Sequence, residues 1–304
     1  MESNQIKTKK QMTRRTQEII FLCTALAIPL TQFFLMYVCV NFNSILLAFR
    51  EYTGDNEYIF AGLKNFSDLI TSLTTDSKYQ NMLSNSLLTW FVSSPCSVLI
   101  SLLIAYSVWK KVYFSGFFST MLFMPSILSS IVFVMIARVM VVNAVPLITG
   151  LDASAEILQP PQGFYTLLFY DRILSFGISM IYFMGAMSAI STGLVEYGKL
   201  EGVNAFQEFI HIVFPAVYPT VVSLLVVGFA QIFTNMGLLL AYYGVTADYS
   251  VRTFGYHIYI TVKNETNYYA YPSAASMGLL FTAVTIPVVF TAKYLLEKFG
   301  PRED

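Results

Sequence analysis

The sequence has little charge. Only 12 % of its 304 residues are Asp, Glu, Lys or Arg, hydrophobic residues make up 56 %, and the mean hydropathy is +0.60. Soluble globular chains carry about 25 % charged residues, so this composition indicates a membrane protein. Eighteen basic residues balance eighteen acidic ones. This balance argues against a nucleic-acid-binding protein, which presents a basic surface.

Residues that carry out covalent or metal chemistry are also scarce. His211 and His257 are the two histidines, and they are far apart without ligand spacing. Each of the three cysteines, Cys23, Cys39 and Cys96, lies in an apolar run, where cysteine acts as a small hydrophobic side chain. No Gly-x-Ser-x-Gly nucleophile motif occurs. We therefore expect a protein without enzymatic activity and without a metal or cofactor of its own.

Long apolar segments are abundant. A transmembrane helix needs about 20 predominantly apolar residues, and six segments meet this requirement. They are 16–42, 82–109, 117–142, 165–190, 215–242 and 274–296. The sequence thus predicts an all-α membrane protein. Residues 1–81 form an N-terminal part with the first helix and an external loop that contains short helices, residues 82–296 form a five-helix core, and residues 297–304 form a tail.

The basic residues predict the orientation, because Lys and Arg are enriched in cytoplasmic loops. With the N-terminus inside, most cations outside the predicted helices lie in cytoplasmic parts of the chain. These cations are Lys7, Lys9, Lys10, Arg14, Arg15, Lys110, Lys111, Lys199, Lys293, Lys298 and Arg302. The bias predicts that both termini and the 191–214 loop are cytoplasmic.

The 191–214 loop is a short polar segment between two long apolar ones. Leu200, Val203 and Phe206 recur at helical spacing, which predicts a pair of short amphipathic helices. Gly202 allows the backbone to bend. Pro215 fits the first turn of the next helix, where its missing N–H is not needed. From composition alone, this is an interfacial helix that links two membrane helices.

The same loop contains a lookalike of a phosphate-binding motif, Gly193-x-x-x-x-Gly198-Lys199. A working motif needs Ser or Thr at the next position to bind magnesium, and a β-strand before it. Leu200 occupies that position and no strand is predicted. We therefore expect that this chain does not bind ATP.

The loop resembles the coupling-loop signature of the membrane subunits of bacterial ABC importers. That signature is Glu-Ala-Ala, two residues, Asp-Gly-Ala, later a Phe, an Ile and a Leu-Pro, then a Pro. The matching residues are Glu196, Gly202, Phe209, Ile212, Pro215 and Pro219. Tyr197 and Gly198 replace the two alanines, Glu201 replaces the Asp and Val203 the last Ala. The resemblance implies coupling to an ATPase through Glu196, Tyr197, Gly198, Glu201, Gly202, Phe209 and Pro215.

Further motifs resemble the carbohydrate branch of this family, the maltose- and lactose-permease type. They are Gly62-Leu63-Lys64-Asn65-Phe66, Asn85-Ser86-Leu87, Phe123-Met124-Pro125 and Ala274-Ala275-Ser276-Met277. Two departures are Tyr243-Gly244-Val245, where Gly-Gly-Pro is common, and Ser191, where Pro is usual.

The resemblance implies a type I ABC importer permease in a bacterial cytoplasmic membrane. Such a subunit pairs with a second, homologous permease, and two cytoplasmic ATPases bind ATP and Mg. An extracytoplasmic binding protein delivers a sugar-like solute, which crosses the lipid bilayer by alternating access. The helix at 196–209 transmits the motion of the ATPases.

Polar residues within predicted membrane helices suggest where the solute passes. Gln231 and Asn235 lie one turn apart on the fifth predicted helix, and they either contact a hydroxylated ligand or form hydrogen bonds between helices. Tyr242 and Tyr243 end this helix and belong either to an interfacial aromatic belt or to a sugar-stacking surface. Asp171-Arg172 is interpreted as interfacial.

Two other classes of function remain as alternatives. An ion-driven secondary transporter should show acidic residues in the middle of its helices and internal inverted repeats, and neither is recognised. A membrane scaffold or sensor leaves the loop signature unexplained.

Overall fold

A computed structural model of the protein describes residues 14–54, 57–149, 159–263 and 268–301. Six helices in this part of the chain are long and apolar enough to cross a membrane, which confirms the predicted all-α membrane fold. In chain order, the first to sixth spans are Glu18–Ala48, Ser77–Trp109, Ser130–Ile148, Gln162–Ser188, Ala205–Ala230 and Tyr271–Phe299. Four of the cations that predict the orientation lie outside the described residues, namely Lys7, Lys9, Lys10 and Arg302.

Shorter elements connect the spans. They are strands β1 (Arg50–Tyr52) and β2 (Tyr58–Phe60), and helices α1 (Lys64–Thr75), α2 (Ser115–Ile127), α3 (Thr192–Leu200), α4 (Leu239–Tyr243) and α5 (Phe254–Lys263). The two strands form an antiparallel hairpin in which Tyr52 faces Tyr58. The loop after the first span thus contains this hairpin in addition to a short helix, α1. The strands are only three residues long, too short for the alternating pattern that reveals a strand in a sequence.

The third predicted helix is interrupted in the structure. Leu128 and Ser129 adopt extended backbone conformations that separate α2 from the third span. Just before the break, the Ser126 hydroxyl donates to the Phe123 carbonyl, a local bond of the kind that competes with helix formation. At Gly177 of the fourth span, an added Cβ would lie 2.8 Å from the Leu122 carbonyl oxygen of α2. The absence of a side chain there lets the two helices pack closely.

The fifth span starts ten residues earlier in the structure than the sequence predicted. It begins at Ala205 and ends at Ala230, whereas the sequence predicted residues 215–242. Pro215 lies in the first turn of the α-helical part Phe214–Ala230, which continues without a break from a π-helical turn at Phe209–Val213. A π-turn changes the hydrogen-bond register, which accommodates a residue without an N–H.

Residues 231–238 form turns after this helix ends. The Asn235 side-chain oxygen accepts a hydrogen bond from the Gly237 N–H at 2.8 Å, and Gly237 has a φ of +53°. Both features are typical of turns and stop the helix from continuing. Gln231 and Asn235 therefore do not lie on one face of a continuous helix, contrary to the sequence-based prediction.

The packed core joins the second, fourth and fifth spans. Their buried side chains form one cluster, which contains Val98, Leu102, Ala105, Met180, Phe183, Met187, Val213, Val217 and Val221. A second cluster packs α1, the second span, α5 and the sixth span around Phe254 and Phe281. The first span is different, because the most apolar part of it is exposed throughout. Only a short part at its C-terminal end, Val40–Ala48, is seen to pack on the sixth span within the described chain.

Gly228 marks the closest contact between the second and fifth spans. An added Cβ would lie 1.8 Å from Ser94 Oγ and 2.4 Å from Ser94 Cβ. Because the Cβ of Ser94 cannot rotate away, we expect Gly228→Ala to force the helices apart and to lower the free energy of unfolding by about 1–3 kcal/mol. Thermal unfolding of the purified protein in detergent measures this loss.

Gly185→Ala is the matched control. No atom of the described chain lies within 4 Å of a Cβ built at Gly185, which is an exposed residue of the fourth span. We expect this variant to keep or slightly raise the unfolding temperature, because Ala favours helix over Gly. Equal unfolding temperatures for the two variants would contradict the tight contact at Ser94.

Candidate functional site

Helix α3 in the 191–214 loop has a capping motif at each end. At its start, the Ser191 hydroxyl accepts a hydrogen bond from the Leu194 N–H at 3.3 Å. At its end, the N–H groups of Gly202 and Val203 donate to the carbonyls of Lys199 and Gly198 at 3.2 and 3.1 Å. These two bonds form a Schellman motif, which requires a positive φ, and Gly202 has a φ of +77°. Gly202 therefore ends the helix and turns the chain.

The fifth span begins only a few residues later with a capping box. The Asn204 side chain accepts hydrogen bonds from the N–H groups of Phe206 and Gln207, and the Gln207 side chain accepts one from the Asn204 N–H. Residues 201–204 are thus all that separates α3 from a helix of 26 residues. A connection this short, with both helix ends capped, holds the two helices at a fixed angle.

Gly198 is the point where α3 packs on the fifth span. It is buried, and a Cβ added to it would lie 3.0 Å from Ile212 Cδ1. A Cβ at this position requires Ile212 Cδ1 to move by a few tenths of an ångström, and a bulky side chain would not fit between α3 and the fifth span. A small residue at this position is therefore a packing requirement of the loop.

An ion pair attaches the loop to the second span. Lys110 Nζ, directly after that span, lies 2.9 and 2.7 Å from the two carboxylate oxygens of Glu208. Glu208 is only 4 % exposed. Beside this pair, the Tyr106 hydroxyl donates to the Ala205 carbonyl at 2.8 Å, and the Tyr106 and Phe209 rings lie 5.0 Å apart.

This pair was not predicted from the sequence. Lys110 and Glu208 are 98 residues apart, so their contact depends on tertiary packing. One signal was present in the sequence. Glu208 lies in the first turn of an apolar helix, where an acidic residue is expected to have a partner.

Apolar side chains form the exposed face of this loop. Leu200 is 87 % exposed and Phe206 71 %, and Leu194 and Tyr197 are exposed beside them. Exposed apolar patches on an otherwise folded segment mark contact surfaces. We call Leu194, Tyr197, Leu200 and Phe206 the loop face.

The other predicted coupling residues surround the loop face. Glu196, Glu201 and Gly202 are exposed, whereas Phe209 and Pro215 are half-buried in the fifth span. A hydrogen bond to Glu201 raises the pKa of the Tyr197 hydroxyl. The ring of Tyr197, which is larger than the Ala of the family signature, is exposed on the outer surface.

A second group of polar residues lies between the spans. Arg172 is 9 % exposed, pairs with Asp171, and donates from Nη1 to the Ser93 carbonyl at 3.2 Å. Asn235 Nδ2 lies 3.4 Å from Ser93 Oγ. We call Ser93, Asp171, Arg172 and Asn235 the polar cluster. Arg172 is thus buried in the bundle, and Asp171 is half-buried beside it.

The structure separates the residues that the sequence proposed for the solute path. Asn235 joins the polar cluster, whereas Gln231 is exposed just beyond the fifth span. Tyr242 and Tyr243 lie on α4 with their rings 4.6 Å apart, edge to face. Burial, with smaller contributions from Tyr242 and Asp248, raises the pKa of Tyr243 to about 12.

The two partners of the ion pair are unequally buried, so their substitutions should differ. The side chain of Glu208 is 5 % exposed and that of Lys110 26 %. Lys110→Met leaves a buried carboxylate without its partner, and we expect a loss of about 3–5 kcal/mol in the free energy of unfolding. Glu208→Gln leaves an ammonium that can reach water, and we expect a smaller loss. Thermal unfolding of both variants tests this order, which the reverse ranking would contradict.

Comparison with known proteins identifies the family. The model of the binding-protein-dependent transport system inner membrane component matches residues 97–303, more than half of the chain. The polygalacturonan/rhamnogalacturonan transport system permease protein YteP of Bacillus subtilis is 25 % identical over 281 residues, 88 % of this chain and 85 % of that protein. The probable starch degradation products transport system permease protein AmyD of Thermoanaerobacterium thermosulfurigenes is 25 % identical over 184 residues, 58 % of this chain and 60 % of that protein.

A solved structure has the same fold. It is a chain of the bacterial alginate ABC transporter in complex with an alginate pentasaccharide-bound periplasmic protein. It superposes with a TM-score of 0.74 at 19 % identity, and the match covers 93 % of this chain and 96 % of that chain. The six spans and the family match together show that this chain belongs to the binding-protein-dependent transport system inner membrane components.

Proposed function

We propose that this chain is a permease subunit of an ATP-driven saccharide importer in a bacterial cytoplasmic membrane. The observation that carries the proposal is the loop face. Three of its four exposed apolar residues lie on the capped helix α3, and the fourth, Phe206, lies in the first turn of the fifth span, which is separated from α3 by four residues. The saccharide class is supported by relatives that are named for starch degradation products, polygalacturonan and lactose.

The loop face docks one of two cytoplasmic ATPases, and these hold ATP and Mg. In this chain the phosphate-loop lookalike Gly193 to Lys199 lies within helix α3, and not in a loop between a strand and a helix, where a working motif holds phosphate. A second permease completes the path, and an extracytoplasmic binding protein delivers the saccharide. Both termini are cytoplasmic, an orientation supported by the distribution of Lys and Arg.

Force passes from the ATPase into the membrane through α3. When the ATPases close, they displace α3, and the short connection at 201–204 carries this displacement into the fifth span. The fifth span ends at the polar cluster, because the turns that follow Ala230 contain Asn235. Its movement therefore changes the surroundings of the polar cluster and opens the path alternately to each side.

The path itself passes the polar cluster and the turns at 231–238. Non-helical backbone at membrane depth is tolerated where it is buried in protein or lines a cavity, and interrupted helices often form substrate sites in transporters. Asn235 offers an amide to a saccharide hydroxyl. Gln231, Tyr242 and Tyr243 are further candidates for contact along the exit from this region.

Leu200→Asp tests the loop face. A carboxylate at the most exposed position of this apolar surface has to be desolvated on docking, so we expect the affinity for the ATPase to fall by about tenfold or more. Leu63→Asp is the control, because Leu63 is 68 % exposed and lies beside α1, outside the loop. Co-purification of the ATPase with each variant measures the effect. Equal recovery of ATPase with both variants would refute the docking role.

Substitutions of Gly202 test whether ATP-dependent uptake requires the turn after α3. Nothing among the described residues lies within 4 Å of a Cβ built at Gly202, so its requirement is a matter of backbone conformation and not of space. A positive φ costs about 1–2 kcal/mol for ordinary residues, and Asn tolerates it best. We expect Gly202→Val to reduce ATP-dependent uptake several-fold and Gly202→Asn to retain most of it. Uptake of labelled maltodextrin, oligogalacturonide and lactose by membrane vesicles measures this, and equal uptake by both variants would oppose it.

A further inference from the structure

Two connections in sequence lead from α3 into the membrane domain. One is the peptide backbone, which continues from α3 into the fifth span. The other is non-covalent, and it joins the fifth span to the inner end of the second span through Lys110 and Glu208. We propose that the second span is a transmission rod driven by this ion pair, in parallel with the fifth span. This inference rests on the proposed function.

The connection at Lys110 is strong enough to transmit displacement. Both carboxylate oxygens of Glu208 are engaged, and the carboxylate is buried, so breaking the contact leaves a charge without water or partner. The Tyr106 hydroxyl bond to the Ala205 carbonyl adds a second attachment one turn away. Polar contacts of this kind have a direction and a length, unlike the apolar packing around them.

The second span makes polar contacts near both of its ends and at the polar cluster. At 1.5 Å per residue, Ser93 lies about 26 Å along the helix from Lys110. Ser93 contacts Arg172 and Asn235 in the polar cluster. Near the far end, Asn85 Nδ2 donates to the carbonyls of Ser250 and Arg252 at 2.9 and 3.1 Å. One helix thus contacts the loop, the polar cluster and the connection before α5.

The second and fifth spans also contact each other beside the polar cluster. Gly228 of the fifth span packs on Ser94, next to Ser93. The second span is π-helical at Val92–Cys96 and contains Pro95 at this level, and π-turns occur where helices shift register at functional sites. Because the second span is fixed to the first turn of the fifth span and contacts it again here, a displacement that α3 passes into the fifth span reaches the polar cluster through both spans.

The test uses the complex with its co-purifying ATPase in liposomes. Spin labels are attached to Ser107→Cys on the second span and Lys199→Cys on α3, both exposed positions, after Cys23, Cys39 and Cys96 are replaced by Ser. The distance between the labels is measured with and without trapping by ATP and vanadate. We expect it to stay constant in the otherwise unaltered protein, because the second span follows the loop.

In Glu208→Gln we expect the distance to change by about 2 Å or more on trapping, the size of a typical helix shift. The charge-reversed pair Lys110→Glu/Glu208→Lys should restore the constant distance, which a general loss of stability would not. A distance that changes in the unaltered protein, or stays constant in Glu208→Gln, would overturn the rod. If Glu208→Gln does not assemble, Glu208→Asp, whose shorter side chain withdraws the carboxylate from Lys110, is measured in its place and should show the same change.

The two proposals fail in different ways. A complex that never traps nucleotide, or a chain that never recovers an ATPase, refutes the proposed function. A complex that traps nucleotide while its label distance changes refutes only the rod. ATP hydrolysis by the same samples separates these cases.

Discussion

Every backbone N–H and C=O within a bilayer must be bonded inside the protein. This requirement explains why the described chain is built from long helices and why its interruptions are informative. Of the two breaks, the one at Leu128 and Ser129 is exposed, whereas the one at 231–238 is partly buried, with Ile232 and Leu238 in the packed interior. Near the second break, the Thr253 hydroxyl donates to the Asn235 carbonyl, and Asn235 bonds the Gly237 N–H. Protein groups therefore replace the helix bonds that are lost there.

The same requirement shapes the loop that leaves the membrane. Both ends of α3 and the start of the fifth span are closed by local hydrogen bonds from Ser191, Gly202 and Asn204. Neighbouring residues thus satisfy some of the orphan groups at three helix ends. The apolar side chains of the loop face take no part in these hydrogen bonds and remain available as a contact surface.

Hydropathy alone predicted the number of spans, because an uninterrupted apolar run of about 20 residues is typical of a helix that crosses a bilayer. It misplaced the fifth span at both ends. The start was readable in principle, since Asn204 and Gln207 have the spacing of a capping box. The end was not, because apolar residues such as Phe233 and Leu238 continue beyond Ala230, and the break depends on contacts with distant residues. For the same reason the Lys110–Glu208 pair and the burial of Arg172 could not be derived from the sequence, whereas the bend at Gly202 could.

The lengths of the two helices that meet at Gly202 set a mechanical ratio. Helix α3 has nine residues and the fifth span 26, about 13 and 39 Å at 1.5 Å per residue. For a rotation about the bend, a displacement at the tip of α3 is enlarged about threefold at Ala230. In the proposed mechanism, ångström-scale motion of α3 therefore suffices to rearrange side chains at the end of the fifth span, at the expense of a threefold smaller force.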